Sequence, residues 1–309
     1  MKVADQIFAF ELVPVSTMVL PRFSAGAHID VRLDGGIIRQ YSLSNHPSER
    51  HRYVIGVLRD PASRGGSAAM HDIVEEGSIL SISEPKNHFP LTPDSRHSIL
   101  LAGGIGVTPV LSMARFLSTI QQPFEMHYAA RTESKMGFRE EIMASEFADR
   151  VHMYYSDHGP SEVIDFREVL GQPAAEMHLY VCGPKGFIDA ALDAAWNEGW
   201  KKHQIHCEMF VGTLTTSDND IDFQVLLPKS GRLIYVQKNE PITKALAAAG
   251  ISIPVSCEQG VCGTCATRVL DGIPDHRDFF LTDAEKAAND AIMPCCSRSK
   301  SKVLALDIE

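Results

Sequence analysis

The 309-residue chain is long enough for two domains or three small ones, and its 44% hydrophobic and 22% charged residues suit a packed globular protein, not a disordered or collagenous one. With 29 Lys and Arg against 39 Asp and Glu, the net charge is −10, which argues against nucleic acid or an anionic membrane surface as partner. The longest uncharged run, 98–114, carries Gly103, Gly104, Gly106 and Pro109, and the apolar stretch at 7–20 is broken by Glu11 and Pro14; a soluble cytoplasmic chain is expected, with no membrane association.

Residues 1–97 alternate short β-rich runs (27–33, 53–58, 78–83) with the turns Asp34-Gly35-Gly36, Asp60-Pro61 and Glu76-Gly77. This spacing predicts an antiparallel barrel or sandwich. From 98 the pattern changes. Strands at 99–102, 124–129, 151–155 and 177–181 alternate with helices at 110–120, 139–147, 163–170 and from Pro184 to about Trp200, as in a parallel sheet wrapped by helices. A polar stretch at 212–222 has linker composition. Beyond it come strands at 221–227 and 233–236, a helix at 242–249 and a cysteine-rich loop. Residues 223–309 carry ten acidic and ten basic side chains, so the net negative charge resides wholly in the preceding segments. The expected fold is multi-domain α+β: a first domain at 1–97, an α/β domain at 98–212, a linker at 213–222 and a last domain at 223–309.

Of seven cysteines, Cys182 and Cys207 stand alone, while Cys257, Cys262, Cys265, Cys295 and Cys296 crowd the C-terminal part. With no secretion signal expected, a clustered set reads as metal ligands before disulfides. Cys257-x4-Cys262-x2-Cys265, with a fourth cysteine far downstream, has the plant-type [2Fe–2S] spacing. A two-iron cluster needs four thiolates, three of them from one tight loop, and Gly260 and Gly263 remove the Cβ atoms that would keep the backbone from wrapping it. Zinc favours paired C-x2-C knuckles, which this arrangement lacks. Only one of Cys295 and Cys296 can be the fourth ligand. Cys295, which follows Pro294 and leaves 29 intervening residues, is the expected one.

The run from Ser256 through Cys265, followed by Asp275-His276-Arg277-Asp278 and Cys296-Ser297-Arg298, resembles the C-terminal ferredoxin domain of the phthalate dioxygenase reductase family. The resemblance extends over nearly the whole chain. It implies an antiparallel flavin-binding β-barrel, an NAD-binding α/β parallel-sheet domain and a plant-type ferredoxin (β-grasp) domain, in that order.

Two motifs in the first segment fit a flavin, which needs an apolar or aromatic face, a donor near N5 and cationic or N–H groups around its phosphate. In Arg39-Gln40-Tyr41-Ser42-Leu43, Arg39 can serve the phosphate, Tyr41 the ring or ribityl chain and Ser42 the N5 edge. Arg64, Gly65, Gly66 and Ser67 would form a phosphate cradle. Alone, the first motif reads equally as an edge arginine and a core tyrosine; the second motif and the nucleotide-type segment that follows favour the flavin. Residue chemistry does not separate FMN from FAD, and the resemblance implies FMN. Residues 86–90 resemble the family's barrel-closing loop.

Leu101 through Pro109 follows a strand and opens a helix. Gly103, Gly104 and Gly106 let the backbone approach a pyrophosphate, with Thr108 and a helix-starting Pro109 behind them. It is not the G-x-G-x-x-G fingerprint of a Rossmann dehydrogenase. Cys182-Gly183-Pro184 resembles the family's turn beside the nicotinamide, although Cys182 alone reads as a buried thiol. Arg131 would face the adenosine ribose or a phosphate. No charge pattern distinguishes a 2′-hydroxyl from a 2′-phosphate, and NADH follows from the resemblance. Phe210 is either an aromatic that covers the flavin ring or a core residue.

No side chain is expected to act as acid, base or nucleophile. The resemblance implies an NADH-dependent reductase component, monomeric, passing electrons from NADH through FMN and [2Fe–2S] to a separate Rieske-type terminal oxygenase, a hydroxylase or O-demethylase. Two other readings remain open: a redox-sensing scaffold, and a stand-alone flavin reductase with a dispensable ferredoxin domain.

Overall fold

The computed structural model describes residues 1–16, 19–61, 65–93, 95–159, 162–210, 220–255, 260, 263–278 and 280–308. They fall into two compact units, Met1–Phe210 and Val211–Glu309.

The first unit opens with β1 (Lys2–Ala4), β2 (Ile7–Leu12), β3 (His28–Leu33), β4 (Ile37–Ser42), β5 (Tyr53–Leu58), α1 (Gly66–Asp72) and β6 (Ser81–Ile82). Strands β1-β2-β5 and β4-β3-β6 form two antiparallel sheets, joined by a bridge between Leu43 and Ile55. Alternation along β3 and β5 turns Ile29, Val31, Leu33, Tyr53, Ile55 and Val57 inward, where Leu43 and Met70 complete the barrel core. The expected strand at 78–83 shrinks to two residues.

The α/β half follows with β7 (His97–Gly103), α2 (Val107–Thr119), β8 (Phe124–Ala130), α3 (Arg139–Met143), β9 (Val151–Tyr155), α4 (Phe166–Leu170), β10 (Met177–Cys182), α5 (Lys185–Asn197) and β11 (Ile205–Glu208). All neighbouring pairs are parallel and the order is β11-β10-β7-β8-β9. The order reverses between β7 and β10, so a ligand crevice is expected beyond their carboxyl ends. Helix boundaries differ from the sequence reading for local reasons. Helix α2 begins before Pro109, which sits inside its first turn. Helix α4 begins only at Phe166, because the Asp165 carboxylate accepts the N–H groups of Arg167 and Glu168 at 2.9 and 3.3 Å.

The barrel and the α/β half share one hydrophobic core. Ala9, Ala25 and Phe89 pack among Leu100, Val107, Val110 and Tyr180. The loop at 86–90 is the hinge pin of this junction. Asn87 Nδ2 donates to Ala25 O (2.8 Å) and Ser24 Oγ (2.7 Å), and the Phe89 ring meets Tyr180 edge-on at 6.0 Å. Ser112 Oγ on α2 donates to Asn45 O at 3.0 Å.

In the second unit, β12 (Phe223–Leu227), β13 (Arg232–Val236), α6 (Ile242–Ala248), β14 (Thr267–Asp271), β15 (Pro274–Asp275), α7 (Asp283–Ala288), β16 (Ala291–Ile292), β17 (Arg298–Ser299) and β18 (Val303–Leu306) succeed one another. The mixed sheet β13-β12-β18-β14-β16 has one parallel pair, β12 with β18. Helix α6 covers it through Ile242, Ala245 and Leu246. Arg298 is 2% exposed and satisfied by three carbonyls, those of Glu240 (2.7 Å), Gln237 (3.0 Å) and Ile221 (3.1 Å). Arg277 donates to Asp220 at 3.1 Å, which ties the end of the polar stretch into this unit.

Phe89→Ala should remove the ring that joins barrel and sheet. A loss of about 3–5 kcal/mol is expected, read by urea denaturation through Trp196 and Trp200, both in the first unit. An unchanged midpoint would show that the two halves do not depend on this contact.

Candidate functional site

The carboxyl ends of β7 and β10 carry the two predicted turns, and the turns interlock. A Cβ on Gly106 would lie 2.3 Å from Cys182 O, and one on Gly183 3.0 Å from Gly103 Cα. Gly103, Gly106 and Gly183 therefore serve the approach of one turn to the other. Gly104 differs: its φ is +53° and its Cβ position meets nothing within 4 Å, so this is where backbone lies open to a ligand. Thr108 is buried and its Oγ1 donates to Ile105 O at 3.1 Å, closing the turn. Pro184 caps α5. Arg131 is exposed just past the end of β8, on the same edge of the sheet. Cys182 is fully buried; desolvation, with Glu208 adding to it, pushes its thiol well up and keeps it unreactive.

The motif strand of the barrel meets this edge. Ser42 Oγ, at the end of β4, donates to Glu208 Oε2 at 3.3 Å. Glu208 ends β11 and sits in register with Cys182. Burial pushes the Glu208 carboxyl up to about 8 against the opposing pull of the Ser42 hydrogen bond, so it holds a proton at neutral pH. Sequence reasoning did not assign Glu208 as a site residue. The available signal was an acid closing the last parallel strand beside the Phe210 motif, but only the fold brings it to Ser42. Phe210, two residues on, is 42% exposed and is not a core residue.

Arg39 and the glycine turn converge, since a Cβ on Gly66 would lie 2.3 Å from Arg39 Nε. Gly65 adopts φ +89° at the start of α1. Ser67 Oγ accepts the Asp60 N–H at 3.1 Å. Tyr41 is half-buried, and desolvation raises its phenol to about 12. Leu43 points into the barrel core, with its N–H donated to Ala27 O at 2.8 Å. Arg64 lies outside the described residues. Arg39 packed against the glycine turn, and the neutral acid–hydroxyl pair at the other end of β4, fit a phosphate-bearing flavin; the open backbone at Gly104 fits a pyrophosphate.

In the second unit, Cys265 and Cys295 are 4% and 5% exposed and packed with Leu281 and Met293. Cys257 and Cys262 lie outside the described residues. The hydrogen bond from Cys265 favours the Cys295 thiolate, yet contact with Cys296 and burial outweigh it and push the thiol up to about 12. Without a metal such a thiol stays protonated at neutral pH, and a bound metal would displace the proton. Gly260 has φ +75°, and a Cβ there would run into Cys296 Sγ and the Asp278 backbone, so no larger residue fits at this position. Cys296 is half-buried beside that glycine.

An antiparallel barrel, a doubly wound parallel sheet meeting it at a buried acid, and a ferredoxin-type unit with paired buried thiols define an iron–sulfur flavoprotein oxidoreductase that uses NADH. Residues 100–193 match the oxidoreductase NAD-binding domain, and 227–300 match the 2Fe-2S iron-sulfur cluster binding domain. A vanillate O-demethylase oxidoreductase from Pseudomonas sp. (strain HR199 / DSM 7063) is 48% identical over 307 residues, spanning 99% of this chain and 96% of its own. The solved structure of phthalate dioxygenase reductase, described as modular for electron transfer from pyridine nucleotides to [2Fe–2S], is 38% identical with a TM-score of 0.72, over 99% of this chain and 95% of that one. An intact type IV self-sufficient cytochrome P450 monooxygenase is 36% identical with a TM-score of 0.73; the chain is matched throughout but spans only 40% of that protein. The chain belongs to the phthalate dioxygenase reductase family. Among the described residues, no helix is long and apolar enough to cross a membrane.

Two outcomes are expected. Because folding raises the Glu208 pKa from 4.5 to about 8, the folded state keeps a proton that the unfolded chain releases, and stability falls as pH rises through that window. Glu208→Gln removes this penalty, so its melting temperature should exceed the wild type's by a margin that grows from pH 5 to pH 8; a constant margin would contradict the raised pKa. Gly260→Ala should lose most of its iron and visible cluster absorbance while keeping flavin, measured by metal analysis and spectrum.

Proposed function

We propose that this protein is the cytoplasmic, monomeric reductase component of a two-component Rieske-type oxygenase, using NADH and FMN, with domains at 1–97, 98–212 and 223–309 and a linker at 213–222. The observation that carries it is the Ser42–Glu208 hydrogen bond, 3.3 Å long, which joins the R-x-Y-S strand of the barrel to the carboxyl edge of the nucleotide sheet. In this reading the flavin N5 edge and the nicotinamide meet at that junction.

Each residue has a task in this reading. Arg39, Arg64, Gly65, Gly66 and Ser67 hold the flavin phosphate, with Tyr41 along the ring or ribityl chain and Leu43 supporting the strand from the core. Ser42 orients the N5 edge, and protonated Glu208 holds a proton on the far side of that hydroxyl. Gly103, Gly104, Gly106 and Thr108 shape the pyrophosphate turn and Arg131 pairs with phosphate or ribose. Cys182, Gly183 and Pro184 form the floor beneath the nicotinamide, and Phe210 covers the ring. Cys257, Cys262, Cys265 and Cys295 hold the cluster. When bound, a flavin accepts electrons in pairs from a nicotinamide and releases them singly, which suits a one-electron iron–sulfur acceptor. No side chain forms a bond to substrate; the protein contributes alignment and a dry, preorganised setting.

Full-length likeness to the O-demethylase oxidoreductase supports an oxygenase partner, and likeness to part of a P450 monooxygenase supports delivery of electrons to an oxygen-activating iron. Cys265→Ser should abolish NADH-driven cytochrome c reduction and leave ferricyanide reduction near wild type. Retained cytochrome c reduction would favour a stand-alone flavin reductase, and slow wild-type turnover with both acceptors a redox-sensing scaffold. Flavin released by acid should chromatograph as FMN.

A further inference from the structure

At the amino-terminal edge of the parallel sheet, opposite the glycine turns, three potential metal ligands share one face. Glu125 and His127 stand two apart on β8, and His152 on the edge strand β9 is in register with His127. Period-two alternation therefore puts all three side chains on the same side. Their ligand atoms all lie within 4.8 Å of one another. His127 and His152 stack with ring centroids 4.8 Å apart, and Glu125 Oε2 is 3.7 Å from His127 Nε2.

The second observation is the state of His127 itself. It is only 5% exposed, and its Nε2 has no hydrogen-bond partner among the described residues, with the Glu125 oxygen beyond hydrogen-bond reach. Its Nδ1 lies 2.9 Å from Tyr154 Oη. When Nδ1–H donates to that oxygen, the tautomer is set and the Nε2 lone pair points at Glu125, the orientation a neighbouring group gives to a metal-bound histidine. An unsatisfied buried nitrogen is costly, and a cation at this point would satisfy it. Ligands on a tetrahedral zinc ion stand about 3.3 Å apart, so small rotations of the exposed Glu125 and His152 side chains close the set.

We propose that Glu125, His127 and His152 form a binding site for a divalent transition-metal ion of the zinc class, with solvent as the remaining ligand. The ion would bridge β8 to the edge strand β9. Glu125 also has His97 Nε2 3.8 Å from its other oxygen, and Asp149 and Arg150 line the same basin. The site is remote from the nucleotide crevice and does not depend on the functional proposal above.

The test is calorimetric titration of ZnCl2 into tag-free, oxidised holoenzyme in a non-chelating buffer, with the visible spectrum followed in parallel. One ion per chain is expected, with a rise in melting temperature and unchanged cluster absorbance. His152→Ala and Glu125→Gln, both at exposed side chains, should each weaken binding at least tenfold and abolish the thermal shift, while His51→Ala should leave both as in wild type. Absence of saturable binding, wild-type affinity in either ligand variant, or zinc uptake matched by loss of cluster absorbance would overturn the proposal, the last by placing the ion on the cysteines.

Discussion

The nucleotide crevice depends on two stretches of backbone coming closer than any side chain would permit. Gly106 rests on the Cys182 carbonyl, and Gly183 on Gly103. That contact locks the ends of β7 and β10 together at the point where strand order reverses. It leaves Gly104 as the open position. A motif that reads as a simple phosphate cradle thus divides its glycines between holding the fold and facing the ligand.

Around that lock the site is built from groups that are neutral because they are buried. Cys182 stays a thiol and Glu208 stays protonated, although isolated carboxylates ionise far below neutrality. A flavin edge placed there would meet a hydroxyl and a proton-bearing acid. The cost of carrying an unionised acid falls on stability, and the shared core of barrel and sheet offsets it.

The second unit solves a different problem, holding a loop around a soft metal centre in a module of fewer than one hundred residues. Its small core cannot do this alone. Arg298 ties three carbonyls, Arg277 holds Asp220, and Asp278 accepts the Leu281 N–H at 2.8 Å and the Ser297 hydroxyl at 3.1 Å. Asp275, Arg277, Asp278 and Arg298, the described charged residues in the runs that carry the family resemblance, therefore serve as framework.

The cysteine spacing, the alternation of the barrel strands and the glycine turns were legible in the one-dimensional chain, because each is a local property of neighbouring residues. So were the order of the three segments and the class of chemistry. What the chain could not disclose alone were relations between distant residues. The pairing of Ser42 with Glu208, the Arg39–Gly66 contact, the core common to barrel and sheet, and the Glu125–His127–His152 face each require strand register or packing across the molecule. Register and burial are set by the sum of many weak contacts at long sequence separation, and that sum exists only once the chain has folded.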